Sequence, residues 1–237
     1  MIQPFEWQDS IFILRALRWT LGLSLAAFIG GGTIGLAVAL MRSSGRTYYS
    51  VPALTYVILF QGTPLLIQLM LSFFGASMFG VDVSPWMAAA LALSLNTGAF
   101  LGETWRGCIE AIPSGQRAAG IALGLHWRHR FVYIILPQAL RIAIAPTVGI
   151  LVQVVKNTSV ASMIGLVEIT RAGQIVTATT LEPFVVYLIV AGIYFALCWP
   201  LSLLSGKLEA RSATSRATRR SAAPIGNYTA KPVSRTL

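Results

Sequence analysis

A chain of 237 residues that is 55% hydrophobic and only 11% charged, with mean hydropathy +0.70, is not built for water, because soluble domains carry roughly 25% charged residues. Its formal charge of +10 does not describe a nucleic-acid binder. The cations sit between apolar runs and in a tail from Lys207 to Arg235 rather than on a basic face, a distribution that suits membrane topology and anionic headgroups.

The apolar runs are long enough to cross a bilayer, which takes about 20 residues each. No polar stretch could hold a second core, so one membrane domain is expected. Residues 1–18 mix Glu6, Asp9, Arg15 and Arg18 with Phe5, Trp7 and Phe12, and read as an external interfacial lead-in. They are not a secretory signal, since acidic residues precede the apolar run and no small-residue cleavage site follows. The transmembrane domain is expected over residues 19–206. Its first span, 19–41, contains Gly31-x-x-x-Gly35, a spacing that lets another helix approach closely; the alternative is that glycine is simply common in membrane helices.

Arg42 and Arg46 bracket a turn before a second span over 51–73. Gly62-Thr63-Pro64 lies within that span, and the missing proline donor predicts a kink or break. A loop over 74–83 leads to a third span, 84–105, ending in Glu103 and Arg106. Glu103, Arg106 and Glu110 are spaced for ion pairs along one helix. Between the third and fourth spans, Pro113-Ser114 predicts a helix start, with Ser114 as N-cap, and Gly124 a helix stop. The short helix between them, with Ala118, Ala119, Gly120 and Ala122, has a small-residue surface able to settle into another protein's groove. Trp127, Phe131 and Tyr133, interleaved with Arg128 and Arg130, would anchor it to the membrane. An ordinary interfacial loop is the alternative.

The fourth span is short, since only 142–155 is free of charge, and Pro146 and Gly149 predict a bend. An external segment with one amphipathic helix follows over 157–182, then a fifth span over 184–205. Residues 207–237 read as a basic, disordered cytoplasmic tail. The expected class is therefore an all-α membrane protein of about five transmembrane helices. The positive-inside rule orients it. With the N-terminus outside and the C-terminus cytoplasmic, only Arg15, Arg18, Lys156 and Arg171 lie outside and every other lysine and arginine lies inside.

The segment after the third span resembles the cytoplasmic coupling loop of ATP-binding cassette importer permeases. That loop is known by Glu-Ala-Ala, three residues, Gly, nine residues, Ile-x-Leu-Pro; Gly124 and Ile134-Ile135-Leu136-Pro137 match it in spacing. The flanks resemble the polar amino-acid branch, of histidine, glutamine and glutamate type. They are Gly62-Thr63-Pro64-Leu65-Leu66-Ile67-Gln68, the run from Ser94 to Glu103, Leu136-Pro137-Gln138-Ala139-Leu140-Arg141, and Lys156-Asn157-Thr158-Ser159. The resemblance covers about residues 19–206. It departs at the Glu-Ala-Ala triplet, which here reads Ala118-Ala119-Gly120, so ATPase docking would rely on shape and apolar contact.

The resemblance implies a permease subunit of an ATP-driven amino-acid importer in the bacterial plasma (inner) membrane. It implies partners as well: ATP-binding cassette ATPase subunits, a second permease, and an extracytoplasmic solute-binding protein. Ser114, Gly115, Ala118, Ala119, Gly120, Ala122, Leu123 and Gly124 would form the ATPase-coupling surface. No Gly-x-x-x-x-Gly-Lys-[Ser/Thr] loop occurs, so the chain is expected to bind no cofactor and to be no enzyme, with ATP and Mg used by the partner.

Polar side chains at membrane depth face a cavity or a partner. Gln68, Asn96 and Gln153, with Lys156 and Asn157 near the outer end of the fourth span, are the substrate-binding candidates; helix packing or snorkelling is the alternative for each. No catalytic residue is expected. Cys108 and Cys198 lack metal or redox spacing, and His126 and His129 share a face without further ligands, so no metal site is expected. A secondary transporter or channel without an ATPase is the rival function. It would usually show an internal repeat and paired ionisable residues at mid-depth, and neither is evident. A purely structural membrane subunit would not need the loop.

Overall fold

A computed structural model describes the backbone of residues 5–221 and the side chains of residues 5–210; among these the structure is helical, with no strand. Helix α1 (Trp7–Ser43) precedes a broken pair, α2 (Thr47–Gly62) and α3 (Leu65–Met78), bent by 103°. Next come α4 (Pro85–Glu110), the short α5 (Ser114–Ala122) and α6 (Trp127–Ile164). The last contains a π-helical stretch, Arg130–Ile135, and ends in a 3-10 segment, Thr158–Ile164. Helices α7 (Ile169–Thr180) and α8 (Pro183–Ser221) complete the chain.

Among the described residues three helices are long and apolar enough to span a membrane, namely α1, α6 and Pro183–Ala210 of α8, with a fourth if the bent α2–α3 pair crosses as one span. The segment expected as the third span is helical, as α4 with 26 residues, but falls outside that set. Asn96, Thr97, Gly98 and Gly102 dilute its hydropathy, and all four are buried. Helix α4 is solvated mainly by protein, so it needs small and polar contact residues more than apolar bulk. By contrast α1 and α8 expose Leu25, Ile29, Leu36, Phe184, Leu188 and Phe195. So much exposed aliphatic and aromatic surface requires a hydrocarbon environment or another subunit.

Glycine lies on both sides of the α1–α4 crossing. A Cβ on Gly35 would sit 3.0 Å from the Gly102 nitrogen and 3.1 Å from the Gly98 oxygen, and one on Gly102 would sit 2.6 Å from Val38 Cγ1. The Gly31-x-x-x-Gly35 face therefore meets Gly98-x-x-x-Gly102, and the backbones approach to a distance that no larger residue permits.

Several boundaries differ from expectation. Helix α1 starts at Trp7 and joins the expected lead-in and first span in one unbroken helix, since nothing there interrupts it; at 37 residues it is about 55 Å long. The expected 74–83 loop is helical as far as Met78. Helix α6 far exceeds the charge-free stretch 142–155, with Arg141 exposed on its surface. Helix α8 continues to Ser221, and the remaining tail, 222–237, lies outside the described residues.

Gly35→Ala should lower the thermal midpoint of the purified protein by several degrees, because overpacking costs about 1–3 kcal/mol. Gly32→Ala, whose Cβ would meet nothing within 4 Å, should leave it unchanged or slightly raised. Equal midpoints for the two variants would rule out the close crossing.

Candidate functional site

The loop helix α5 is held at both ends by local chemistry. Pro113, at φ −53°, sets the entry, and Ser114 is the first helical residue rather than the cap; its hydroxyl makes no capping bond. The sequence placed that cap one residue late because Pro113 occupies the capping position itself. At the exit Gly124 takes φ +69°, which glycine adopts without strain. Its N–H donates to Ile121 O at 2.9 Å, and Leu125 N–H donates to Gly120 O at 3.0 Å, a Schellman termination.

Gly120 is the only residue of α5 that is buried. A Cβ there would lie 2.9 Å from Arg130 Cδ, so its absence lets α5 seat on the π-helical start of α6. Arg117 ties α5 back to the end of α4 by donating to Ile109 O at 3.3 Å. Ser114, Gly115, Ala118, Ala119, Ala122, Leu123 and Gly124 are exposed, as is Ile121. Leu123, at 76%, is among the more exposed aliphatic residues of the chain. The loop therefore presents a rigid, small-residue, partly apolar face that no described part of this chain covers.

Gln68 and Asn96 are brought together at the α2–α3 break. Pro64 has no N–H for the Phe60 carbonyl one turn back, so that acceptor is orphaned within the membrane domain. Gln68 Nε2 donates to Phe60 O at 2.8 Å and to Thr63 O at 3.0 Å, and Asn96 Nδ2 donates to Phe60 O at 3.1 Å. Asn96 Nδ2 also donates to Gln68 Oε1 at 3.2 Å, and Thr63 Oγ1 donates to Leu59 O at 2.7 Å. The amide donors thus serve the broken backbone, the use that an apolar solvent demands.

Gln153 and Lys156 are exposed and Asn157 is half-buried. Spaced at three and four residues, they share one face of α6. No hydrogen bond joins them to the amide pair among the described residues. The expected pairs on α4 form, with Arg106 Nε donating to Glu103 Oε1 at 2.9 Å and Arg106 also paired with Glu110. Arg42 of α1 joins them, 3.5 Å from Glu103, a partner that spacing along one helix could not reveal.

Glu168 is a buried carboxyl that the sequence did not mark. It caps α7, accepting from Thr170 N at 2.9 Å and Arg171 N at 2.8 Å, and it accepts from Tyr194 Oη at 2.8 Å. Burial pushes its carboxyl above the ordinary range, against those three hydrogen bonds. The visible signal was a carboxylate just before an amphipathic helix, an N-cap pattern. Beside it Thr20 Oγ1 accepts from Ile169 N at 3.3 Å, so this knot joins α1, α7 and α8.

Residues 12–213 match the family described as binding-protein-dependent transport system inner membrane component. The chain is 36% identical over 216 residues to the L-cystine transport system permease protein TcyB of Bacillus subtilis, covering 89% of each. It is 32% identical over 207 residues to the glutamine transport system permease protein GlnP of Escherichia coli, covering 86% of this chain and 94% of that one. Among solved structures, an amino acid ABC transporter with histidines superposes with TM-score 0.81 at 30% identity, covering 88% of this chain and 100% of that chain. The inward-facing MetNI methionine ABC transporter, at 18% identity and TM-score 0.75, shares the fold, covering 87% of this chain and 99% of that one.

Asn96→Leu should remove one donor from Phe60 O and destabilise the chain by about 1–3 kcal/mol. Yield and assembly should then fall in step with transport, leaving transport per assembled complex unchanged. A full-yield complex that does not transport would instead place Asn96 on the substrate path. Because the folded Glu168 holds its proton above the ordinary carboxyl range, its effect on stability should worsen as pH rises from that range through its folded value. Glu168→Gln should flatten this part of the thermal-midpoint profile against pH; an unchanged slope would remove Glu168 as its source.

Proposed function

The chain belongs to the family of binding-protein-dependent transport system inner membrane components, and from that membership we propose that it is a membrane-spanning subunit of an ATP-driven amino-acid importer. It is a multi-pass protein of the bacterial inner membrane. The relatives named for L-cystine and glutamine transport support an amino-acid substrate. Family membership also favours an ATP-driven importer over a secondary transporter or channel.

The observation that carries the reading is α5, a helix entered through Pro113, stopped at Gly124, seated by Gly120 and left uncovered on its outer face. Such a face suits docking into the groove of a separate ATPase, which would use ATP and Mg; the sequence has no phosphate loop of its own. A second permease, the same or homologous, and an extracytoplasmic solute-binding protein complete the assembly. Five spans are proposed, α1, the α2–α3 pair, α4, α6 and α8, with the N-terminus outside and α5 and the C-terminus cytoplasmic.

ATP binding would close the ATPase pair and move α5. The seat on Arg130 and the Arg117–Ile109 bond would pass that movement to α6 and α4. Coupling then amounts to biasing a two-state equilibrium of the spans from a distance. For substrate contact, the Gln153, Lys156 and Asn157 face of α6 is the better candidate, with Gln68 and Asn96 holding the break in shape. An amide and a cation on one face suit the carboxylate of an amino acid.

Ala118→Cys should react with a membrane-impermeant thiol reagent only from the cytoplasmic side and should crosslink to the ATPase subunit. Ala119→Trp should uncouple ATP hydrolysis from transport by overpacking the docked face. Labelling from outside would reverse the topology, and normal coupling in Ala119→Trp without a crosslink at 118 would remove α5 as the docking element.

A further inference from the structure

Behind α5, on the side facing the membrane helices, lies a cavity of about 230 Å³. Ser43, at the end of α1, and Ile109, near the end of α4, line one side. Arg117 and Ile121 of α5 line another, and Trp127, Arg130 and Phe131 of α6 complete most of the wall.

Two arginines line this space and no acidic residue does. The acids of the α4 end are engaged elsewhere, Glu103 with Arg42 and Arg106, and Glu110 with Arg106. Ser43 Oγ and Arg130 Nε are shielded from solvent and have no hydrogen-bond partner among the described residues. Those two atoms are closed to an occupant of the cavity, so an anion would be held by the remaining donors of the two arginines. The remaining wall is aliphatic and aromatic, with Trp127 stacked on Phe131 at 5.8 Å between ring centroids. Tryptophan is enriched at the level of lipid headgroups.

We propose that this cavity binds the phosphodiester headgroup of an acidic phospholipid. Arg117 and Arg130 hold the phosphate, and the start of the acyl chains lies on Ile121, Trp127 and Phe131. A free phosphate shares the charge chemistry but leaves the apolar wall unused, and for that reason the lipid is the occupant. The location between α5 and the helix ends sets this site apart from Ala118, Ala119 and Leu123 of the proposed docking surface, and Ile121 borders both. Its existence does not depend on the transport reading; only its assignment to the cytoplasmic leaflet rests on the proposed topology.

The test is lipid retention, measured by native mass spectrometry on the assembled transporter extracted from nanodiscs of phosphatidylcholine mixed with phosphatidylglycerol. The intact mass reports assembly in the same spectrum, so a misfolded variant is recognised directly. The wild-type complex should retain phosphatidylglycerol in preference to phosphatidylcholine. Arg117→Gln, on an exposed side chain, should reduce that retention about tenfold, the scale of one charge-assisted hydrogen bond. Arg117→Gln with Arg130→Lys should reduce it further, the lysine keeping an aliphatic stem against Gly120. Added inorganic phosphate should not displace the lipid. Equal retention of the two lipids, or unchanged retention in the assembled arginine variants, would overturn the site. Displacement by inorganic phosphate, with phosphate bound to the lipid-free complex, would overturn the lipid assignment.

Discussion

Helix α4 crosses α1 with glycine against glycine, and the positions of most other groups follow from that contact. In hydrocarbon, two helices gain little from burying leucine against leucine, because lipid tails solvate leucine equally well. They gain from close backbone approach, which Gly31, Gly35, Gly98 and Gly102 permit. The crossing brings the end of α1 beside the end of α4, so that Arg42 reaches Glu103. It also makes α4 the central helix, and a central helix can carry polar residues where its neighbours cannot.

Asn96 is the consequence with the most bearing on function. On a lipid-facing helix its amide would be a large penalty. On α4 it faces the α2–α3 break, where proline has removed a donor and left Phe60 O without its helical partner. Gln68 joins it there, and the two side chains supply what the backbone lost. Membrane helices tolerate breaks under this condition, that neighbours restore the freed groups. A 103° bend at the break is therefore a stable feature of the fold, and the region around it is shaped by side chains on two separate helices.

The knot around Glu168 and the seat of α5 show the same economy at the two ends of the bundle. Each relies on a helix terminus: a carboxyl buried to cap α7, and a glycine in the left-handed region to stop α5. A terminus fixed in this way moves with the element on which it rests. Helix α5 rests on α6 through Gly120 and Arg130 and on α4 through Arg117, so force applied to its exposed face has short mechanical routes into two long helices.

Local chemistry made much of this legible in the residues themselves. Apolar runs marked the membrane helices, Gly62-Thr63-Pro64 marked the break, and Gly124 marked the end of α5, because each is a property of neighbouring residues along the chain. The ion pairs within α4 were legible for the same reason, being set by helical spacing. Tertiary structure decided the rest. That Gly31 and Gly35 meet Gly98 and Gly102 depends on which helices adjoin, and neither segment states its partner. The use made of Gln68 and Asn96 depends on an orphaned carbonyl 36 residues from Asn96 in sequence. Arg42 finds Glu103, and Glu168 finds Tyr194, across similarly long separations. Sequence periodicity reports how a residue relates to its own helix; hydrogen bonds and close packing between helices form only once the fold has chosen their neighbours.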